Sequence, residues 1–234
     1  MTTIYLVRHA QASFGGTDYD RLSEVGLRQA ALLGQWWKRI DVRLDGVRSG
    51  AQLRQRQSAR ACLEAMGSAD IDPEIDAALN EYDHDEVLRR HRPDLGDAAA
   101  LARFLAGEKE PRRAFHRVFA QAVERWIGGA HDADYRESWT AFRARCTQAL
   151  QALAAGAKSE GRGATAVFTS GGPITVACQA ALDIPDARIL DLNWSLLNAG
   201  VTQLRASRAG LRLAHFNSIA HLEVAGDRAL VTYR

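Results

Sequence analysis

Two predicted strands each run into residues that can bind an anion. Residues 4–7 are continuously apolar and lead into Arg8 and His9, while residues 164–169 lead into Ser170-Gly171-Gly172. In a parallel sheet, ligands collect at the carboxyl ends of the strands. A strand that passes through a glycine turn into a helix also aims backbone N–H groups at an anion. The pattern therefore predicts an anion-binding edge.

The side chains at this edge suit the handling of a phosphoryl group. A neutral imidazole such as that of His9 is a nitrogen nucleophile. Arginine matches phosphate or carboxylate oxygens with paired N–H donors. Arg54 lies early in a predicted helix and can come to the same edge as Arg8. The basic residues of the chain are overwhelmingly arginine, although a GC-rich coding bias also explains that excess.

Apolar runs and helical stripes define the elements that must position these residues. Continuous apolar segments predict strands at 4–7 and 164–169, with a second strand at 44–49. Ser23 is a suitable N-cap, and apolar residues then recur at helical spacing as far as Ile40. Further helices are predicted at 52–66, 101–105, 115–127, 138–155 and 174–182, and further strands at 200–205, 212–216 and 230–233.

The order of these elements predicts an α/β fold. Strand, helix, strand and helix in succession is typical of three α/β/α layers around a mostly parallel central sheet. Residues 85–137 have the least regular pattern, and we expect a helical cap insertion at about 85–135. A length of 234 residues fits a single domain, 1–234, that carries such an insertion.

Composition narrows the class of protein. Apolar residues make up 47% and charged residues 25%, which is ordinary for a globular protein. The net charge of +2 gives no support to a nucleic-acid partner. No secretory signal is evident, and no stretch approaches the ~18 apolar residues of a membrane span. Cys62, Cys146 and Cys178 lack the spacing of a disulfide framework or a zinc site, so we expect reduced thiols, no metal and a cytoplasmic location.

An ordered set of motifs resembles the histidine phosphatase superfamily, the phosphoglycerate-mutase-like class. Leu6-Val7-Arg8-His9-Ala10-Gln11 resembles the family's strand end, with Ala10 in place of a glycine. Residues 22–30 match its leucine-polar-x-x-glycine-x-x-glutamine-alanine pattern, and residues 49–59 echo its second arginine motif. Further matches are Glu81 in residues 79–82, and Glu137-Ser138 with Phe142 and Arg145.

The resemblance implies a phosphomonoester hydrolase that uses neither a metal nor a cofactor. His9 would attack phosphorus and become a phosphohistidine, while Glu81 would protonate the leaving oxygen and then deprotonate water. Asp83, Asp85 and Glu86 are rivals for that acidic role. A small phosphorylated substrate is implied, a homodimer is left open, and a mutase is an alternative activity. The expected phosphate-binding residues are Arg8, Arg54, Gln11, Ser170 and Gly171.

Ser170 stands where the family's second histidine is expected. A hydroxyl can donate one hydrogen bond but carries no positive charge. Losing one donor to the transition state costs roughly 10²–10³ in rate. An alternative is therefore a weak or inactive pseudophosphatase that binds a phosphorylated ligand. Ser170→His is then expected to raise activity.

Other residues can compensate for this departure. His84 is the favoured substitute for the missing histidine, ahead of His215 and His221. Gly15 occupies a place where the family often has a phosphate-contacting asparagine, and Gln11 and Ser13 are expected to supply polar contacts instead. A serine hydrolase acting through Ser170 has little support, because the glycine-x-serine-x-glycine elbow is absent from this turn.

Overall fold

Strands and helices alternate along the computed structural model, which describes residues 2–13, 20–159, 163–207 and 210–233, without the side chains of 157–159. The described strands are β1 (Thr2–Arg8), β2 (Gly46–Ser49), β3 (Glu74–Ile75), β4 (Ala164–Thr169), β5 (Val201–Ser207) and β6 (Gly210–Ser218). The described helices are α1 (Glu24–Arg39), α2 (Leu53–Met66), α3 (His84–His91), α4 (Ala98–Ala106), α5 (Pro111–Ile127), α6 (Trp139–Ser159), α7 (Gly171–Leu182), α8 (Ile189–Ser195) and α9 (Ala220–Val224). None of these helices has the length and apolar character required to cross a bilayer.

The strands form one mixed sheet in the order β3-β2-β4-β1-β5-β6. β1 is parallel to β4, and β2 is parallel to both β3 and β4, whereas β5 is antiparallel to β1 and to β6. The mostly parallel sheet predicted from sequence is confirmed. In the register of β1 and β4, Arg8 lies opposite Thr169, so His9 and Ser170 follow neighbouring strands at one edge.

Apolar clusters cover both faces of the sheet. Successive side chains of a strand point to opposite faces, so Leu6 and Val7 of β1 belong to different clusters. The Leu6 cluster includes residues of α6 and α7, and the Val7 cluster includes residues of α1 and α2. Truncating either fully buried side chain to alanine is expected to cost about 2–4 kcal/mol of stability. The three predicted layers are thereby confirmed.

Helix α1 begins where the sequence predicted and lies directly against the loop that follows β1. The Ser23 side chain accepts a hydrogen bond from the Gly26 N–H, as expected of an N-cap. A Cβ atom at position 26 would stand 2.1 Å from the Gln11 carbonyl oxygen. A glycine is therefore required for this close approach, which packs α1 on the residues next to His9.

Helix α2 has defined ends that agree with the predicted span of 52–66. At its start, the Gln55 side chain reaches back and accepts a hydrogen bond from the Gln52 N–H at 3.2 Å. At its end, Gly67 adopts a left-handed conformation with φ of 86°. That conformation favours glycine and stops the helix. The first turn of α2 is thus fixed just beyond the end of β2.

Several predicted elements differ from the structure in their bounds, and the prediction failed outright at α3 and at residues 230–233. Helix α3 was not predicted, because Arg89, Arg90 and His91 interrupt its apolar stripe. Helix α7 begins at Gly171 rather than at 174, since proline is tolerated in the first turn of a helix. The final strand predicted at 230–233 is wrong: backbone groups there pair with Gln29 and Asn198 instead of a strand.

The chain divides into two compact units. The first comprises residues 1–81, 146–184 and 191–234, and the second comprises residues 82–145 and 185–190. Within the second unit, Tyr82 stacks on Trp126 with ring centroids 4.6 Å apart, and Trp126 meets Trp139 at 5.3 Å. This unit contains the insertion expected at about 85–135. Its role as a cap over the sheet stays a prediction.

Candidate active site

The end of β1 fixes His9 through its backbone and its ring. The His9 side chain is mostly buried, and its backbone N–H donates to the Thr169 carbonyl at 2.7 Å. Its Nδ1 lies 2.9 Å from the Ala10 carbonyl oxygen. A carbonyl oxygen can only accept, so Nδ1 carries the proton, and in the neutral ring Nε2 carries the lone pair. The local backbone therefore selects the tautomer in which Nε2 is nucleophilic.

Buried side-chain amides hold the residues around His9. Asn198, which is fully buried, donates from Nδ2 to the His9 carbonyl at 3.2 Å. The Asn198 Oδ1 accepts from the Thr232 hydroxyl, which also accepts from Gln29 Nε2. The Oε1 of Gln29 accepts from the Gln11 N–H at 2.8 Å. This closed network was missed from sequence, because isolated Asn and Gln residues give no pattern.

The two predicted arginines have different surroundings. Arg8 is half-buried, and one of its terminal nitrogens donates to the Leu196 carbonyl. Arg54 is mostly buried, and its Nη1 lies 2.6 Å from Oδ1 of Asp20. Asp20 Oδ2 also accepts from the Leu53 N–H at 2.6 Å. Asp20 was not predicted as a site residue, and it places a carboxylate on the guanidinium expected to bind phosphate.

Glu81 is held between the starts of α2 and α7. The Gly172 N–H lies 3.1 Å from both carboxylate oxygens of Glu81. The Glu81 N–H donates to Gln52 Oε1, and the same oxygen accepts from Arg54 Nη2 at 2.9 Å. Gln52 therefore connects the predicted acid to the predicted phosphate-binding arginine. Sequence alone did not single out Gln52.

Ser170 is fully buried at the end of β4. Its hydroxyl makes no capping bond to α7; instead it accepts from Gln55 Nε2 at 2.8 Å. Gln55 is also fully buried and was not predicted from sequence. The next residue, Gly171, is closely packed, since a Cβ there would stand 2.9 Å from Asn193 Oδ1.

The remaining polar residues predicted near His9 serve the loop itself in this structure. Gln11 Oε1 accepts from the Ser23 hydroxyl at 2.8 Å, which supports the start of α1. The backbone N–H of Ser13 donates to the Arg21 carbonyl at 2.7 Å. Gly15 lies outside the described residues. Phosphate contacts from Gln11 and Ser13 stay predictions.

The three histidines proposed as substitutes have distinct environments. In the second unit, the His84 ring lies 4.2 Å from that of Tyr82 and 5.7 Å from that of Phe119, measured between centroids. His215 is exposed on β6. His221 is buried in α9, and burial lowers its pKa to about 4. His221 is therefore neutral near pH 7 and supplies no positive charge there.

Together these contacts place groups of complementary chemistry along one edge of the sheet. His9 offers a nitrogen lone pair beside β4, and the first turn of α2 presents Arg54. Glu81 offers a carboxylate at the start of α7. A nucleophile, a cation and a proton-transferring group are the components that phosphoryl transfer requires.

Sequence comparison relates the chain to a family of known proteins and to one curated relative. The model of the histidine phosphatase superfamily (branch 1) matches residues 4–219. A 2,3-bisphosphoglycerate-dependent phosphoglycerate mutase from Methylobacterium sp. (strain 4-46) is 31% identical over 98 residues, which cover 39% of this chain. The match spans only 47% of that relative, about half of its length.

Solved structures share the fold over nearly the whole chain. A phosphoglycerate mutase from Bacillus anthracis str. Sterne has a TM-score of 0.68 at 17% identity and covers 97% of each chain. A mycobacterial glucosyl-3-phosphoglycerate phosphatase complexed with VO3 has a TM-score of 0.62 at 20% identity, covering 93% of this chain and 100% of its own. A phosphoserine phosphatase from Entamoeba histolytica, in complex with 3-phosphoglyceric acid, has a TM-score of 0.61 at 19% identity. The match covers 95% of this chain and 100% of that structure.

At these identities the structural likeness shows the fold, and the family model, which matches most of the chain, shows the kinship. The chain belongs to branch 1 of the histidine phosphatase superfamily.

Proposed function

We propose that this protein is a phosphomonoester hydrolase that needs no metal and works through a phosphohistidine at His9. The observation that carries the proposal is the contact of 2.9 Å between Nδ1 of His9 and the Ala10 carbonyl, which leaves the lone pair on Nε2. Family membership supports the same reaction, since the superfamily is that of the histidine phosphatases.

In the first step, Nε2 of His9 forms a bond to phosphorus while the ester oxygen departs. Glu81 gives a proton to that oxygen. Charge on the transferring group is spread over its three equatorial oxygens, so positioned cations supply most of the stabilisation. Arg54 and Arg8 take this role, because a guanidinium presents N–H donors in a planar fork that matches phosphoryl oxygens.

In the second step, water attacks phosphorus and the P–N bond breaks. Glu81 now accepts a proton from the water, and the neutral His9 ring is restored. The Gly172 N–H holds both carboxylate oxygens at 3.1 Å, which keeps Glu81 at the start of α7 in both steps. Gln52 couples its position to that of Arg54.

A second candidate function is the binding of a phosphorylated ligand without turnover. It is favoured by the uncharged pair of Ser170 and Gln55, which stands where the family's second histidine is expected. A mutase is a further alternative, suggested by the phosphoglycerate mutases among the similar proteins. For each, the substrate is a small phosphorylated molecule, and phosphoserine and 3-phosphoglycerate belong in any panel.

Steady-state hydrolysis of a panel of phosphate esters, with and without a chelator, tests the proposal. Wild type should release phosphate equally in both conditions, and His9→Ala should lose at least about 10³-fold in kcat. His215→Ala, which removes an exposed histidine of β6, is the matched control and should keep full activity. A phosphoenzyme trapped by acid-free quenching should be absent only in His9→Ala.

Three results contradict the proposal in different ways. Equal inactivity of wild type and His9→Ala, with ligand-induced thermal stabilisation, indicates a binding protein. Transfer of phosphate between hydroxyls without release indicates a mutase. Loss of activity in chelator indicates a metal-dependent reaction.

The cytoplasmic location stays a prediction, and a homodimer stays an open possibility. Cys62, Cys146 and Cys178 are buried and free of disulfides. Burial raises the pKa of the Cys178 thiol to about 12 and that of Cys62 further. The thiols of Cys62 and Cys178 are therefore protonated near pH 7, and we propose a structural role for the three buried cysteines.

A further inference from the structure

Gln55 has no assigned role, yet it contacts the residue in which this chain departs from its family. It is fully buried in the first turn of α2. Its Nε2 donates to the Ser170 hydroxyl at 2.8 Å and to the Leu79 carbonyl at 3.3 Å. An amide nitrogen has two hydrogens, so both are used.

The orientation of this amide is fixed by its neighbours. Gln55 Oε1 faces the Gln52 N–H, which can only donate. Nε2 faces the Leu79 carbonyl, which can only accept. Exchanging oxygen and nitrogen would place like groups against each other at both positions. Ser170 must therefore accept from Gln55, and its own proton must point elsewhere.

The surrounding backbone makes room for the amide. A Cβ at position 50 would stand 2.0 Å from Gln55 Oε1 and 2.6 Å from its Cδ. Gly50 thus allows the glutamine side chain to lie flat against the end of β2. The Leu79 carbonyl that Gln55 contacts also accepts from the Thr169 hydroxyl at 2.6 Å, which fixes the acceptor itself.

The hydroxyl proton of Ser170 is a hydrogen-bond donor beside the nucleophile. In the part of the chain that the structure describes, the Ser170 hydroxyl makes one hydrogen bond, the one it accepts from Gln55. The backbone N–H of His9 bonds to the Thr169 carbonyl, which places the backbone of His9 next to that of Ser170.

We infer that Gln55 is a positioning residue that turns the Ser170 hydroxyl into a fixed donor to the phosphoryl group carried by His9. This inference rests on the proposed phosphohistidine reaction. In place of the family's second histidine, whose imidazole can carry a charge, the pair would offer one neutral hydrogen bond from the Ser170 hydroxyl, with its direction set by Gln55.

Burial predicts which kinetic constant depends on this pair. Ser170 and Gln55 are both inaccessible to solvent. We therefore expect the hydroxyl to meet the phosphoryl group only during its transfer to His9 and not in the ester as first bound. Loss of the donor should lower kcat and leave KM unchanged, as for an interaction made only in the transition state.

Two substitutions of Gln55 distinguish a Ser170 hydroxyl that points the wrong way from one that is no longer held. Gln55→Glu offers an acceptor in place of Nε2, so the Ser170 proton turns towards it and away from His9. We expect kcat to fall about 100-fold, the effect of a lost transition-state donor. Gln55→Leu frees the hydroxyl to rotate and also removes the bonds to the Leu79 carbonyl and the Gln52 N–H, and we expect kcat to fall about 10-fold. KM should change less than about twofold in both.

A double-mutant cycle with Ser170→Ala distinguishes positioning from a structural role. Without the hydroxyl, Gln55→Leu should have no further effect on kcat. Equal, multiplicative losses in the two backgrounds would overturn the inference, as would an unchanged kcat in Gln55→Glu. Gln57→Leu is the matched control: it also loses an amide bond, to the Leu22 N–H at 2.8 Å, and should lower Tm without lowering kcat.

Orthovanadate provides a readout that does not need turnover. It adds to an imidazole as a five-coordinate mimic of the transferring phosphoryl group, whereas inorganic phosphate does not. Gln55→Glu should weaken vanadate binding at least 10-fold and change phosphate binding less than twofold. If wild type shows no hydrolysis but this pattern holds, the proposed hydrolase activity fails and the positioning role stands. Equal effects on vanadate and phosphate, or no effect on either, would overturn it.

Discussion

The ends of β1 and β4 lie side by side, and they are built in different ways. At the end of β1, Asn198 bonds to the His9 carbonyl and Gln29 bonds to the Gln11 N–H. Both amides hold the backbone, and neither of these bonds involves the imidazole ring. At the end of β4, Gln55 bonds to a side chain, the hydroxyl of Ser170, which we propose as a donor to the phosphoryl group. Both ends rely on a fully buried amide.

The difference shows two ways of preparing a polar group for function. The ring of His9 has a fixed tautomer because its neighbouring carbonyl is fixed. A hydroxyl rotates freely unless a partner sets its direction. The β1 end should therefore be sensitive to changes that shift the backbone, and the β4 end to changes that reverse a hydrogen bond.

The largest expected effect follows from removing the backbone support at β1. Asn198→Leu leaves the His9 carbonyl and the Thr232 hydroxyl without the partners they have at 3.2 and 2.9 Å. We expect a loss of about 3 kcal/mol in the free energy of unfolding. The Tm should fall by roughly 8 °C, and kcat should fall about 10-fold. Calorimetry and steady-state kinetics measure the two effects.

Gln179→Leu is the control for this loss. Gln179 donates to the Ile184 carbonyl at 3.0 Å, at the far end of α7 from Ser170. It should lower Tm and leave kcat unchanged. Full activity of Asn198→Leu would show that the backbone of His9 does not depend on the network.

The next effect comes from giving the β4 end an imidazole. Ser170→His was expected from sequence to raise activity, but Ser170 has no exposed surface and Gln55 fills the adjoining space. We expect the single variant to be overpacked, with a loss of about 2–3 kcal/mol in stability and no gain in kcat. Urea denaturation and the hydrolysis assay provide the measurements.

Shortening Gln55 should make space for an imidazole at position 170. Ser170→His combined with Gln55→Ala should recover part of the stability and raise kcat about 10-fold above the single variant. A gain in kcat from Ser170→His alone would mean that the space occupied by Gln55 is not the limiting factor.

A third prediction concerns His221, which was considered as a source of the missing charge. Burial lowers its folded-state pKa from 6.5 to about 4, so the unfolded state binds a proton first as the pH falls. Stability is therefore lost between pH 6.5 and about 4, with a loss of about 2 kcal/mol at pH 5. His221→Phe should remove most of this loss in urea denaturation at pH 7 and pH 5. The exposed His215→Phe should not, and an equal pH dependence in all three proteins would contradict the prediction.

The smallest expected effect comes from Asp20, the carboxylate that contacts Arg54. Its side chain is 38% exposed, so the ion pair is partly screened by solvent. Asp20→Asn should free Arg54 for phosphate and tighten the Kd for inorganic phosphate up to about fivefold, about 1 kcal/mol. Asp41→Asn, which alters an exposed pair with Arg43, is the control for net charge. Weaker binding in Asp20→Asn would instead mean that Asp20 orients Arg54.

Elements with one dominant local signal were predicted from sequence. The apolar runs of β1 and β4 and the Ser23 cap of α1 gave correct positions, because burial and capping leave direct marks in the sequence. The error at 230–233 has a physical reason. Its apolar residues are compatible with a strand, but the Gln29 side chain and the Asn198 backbone N–H, both distant in sequence, bond to its carbonyls.

The candidate site was predictable where residue type limits the chemistry. His9, Arg54 and Glu81 stood out because imidazole, guanidinium and carboxylate groups at the ends of elements are informative. Gln55 did not, since the N-cap and the first two turns of α2 together contain three glutamines, and only the fold shows which one meets Ser170. The clue was the small Gly50 ahead of the helix, whose purpose is visible only with the amide in place.

The position of β1 in the sheet has a consequence for how the molecule is made. β1 lies between β4 and β5, both of which follow residue 163 in the chain. During synthesis β1 precedes the other described strands, and it has no sheet neighbour until these much later strands have been made. The apolar side chains of β1 are buried only when β4 and β5 pair with it. Pairing between strands so far apart in the sequence is slow. His9, the proposed nucleophile, is thus translated well before the two strands that hold β1 in the sheet.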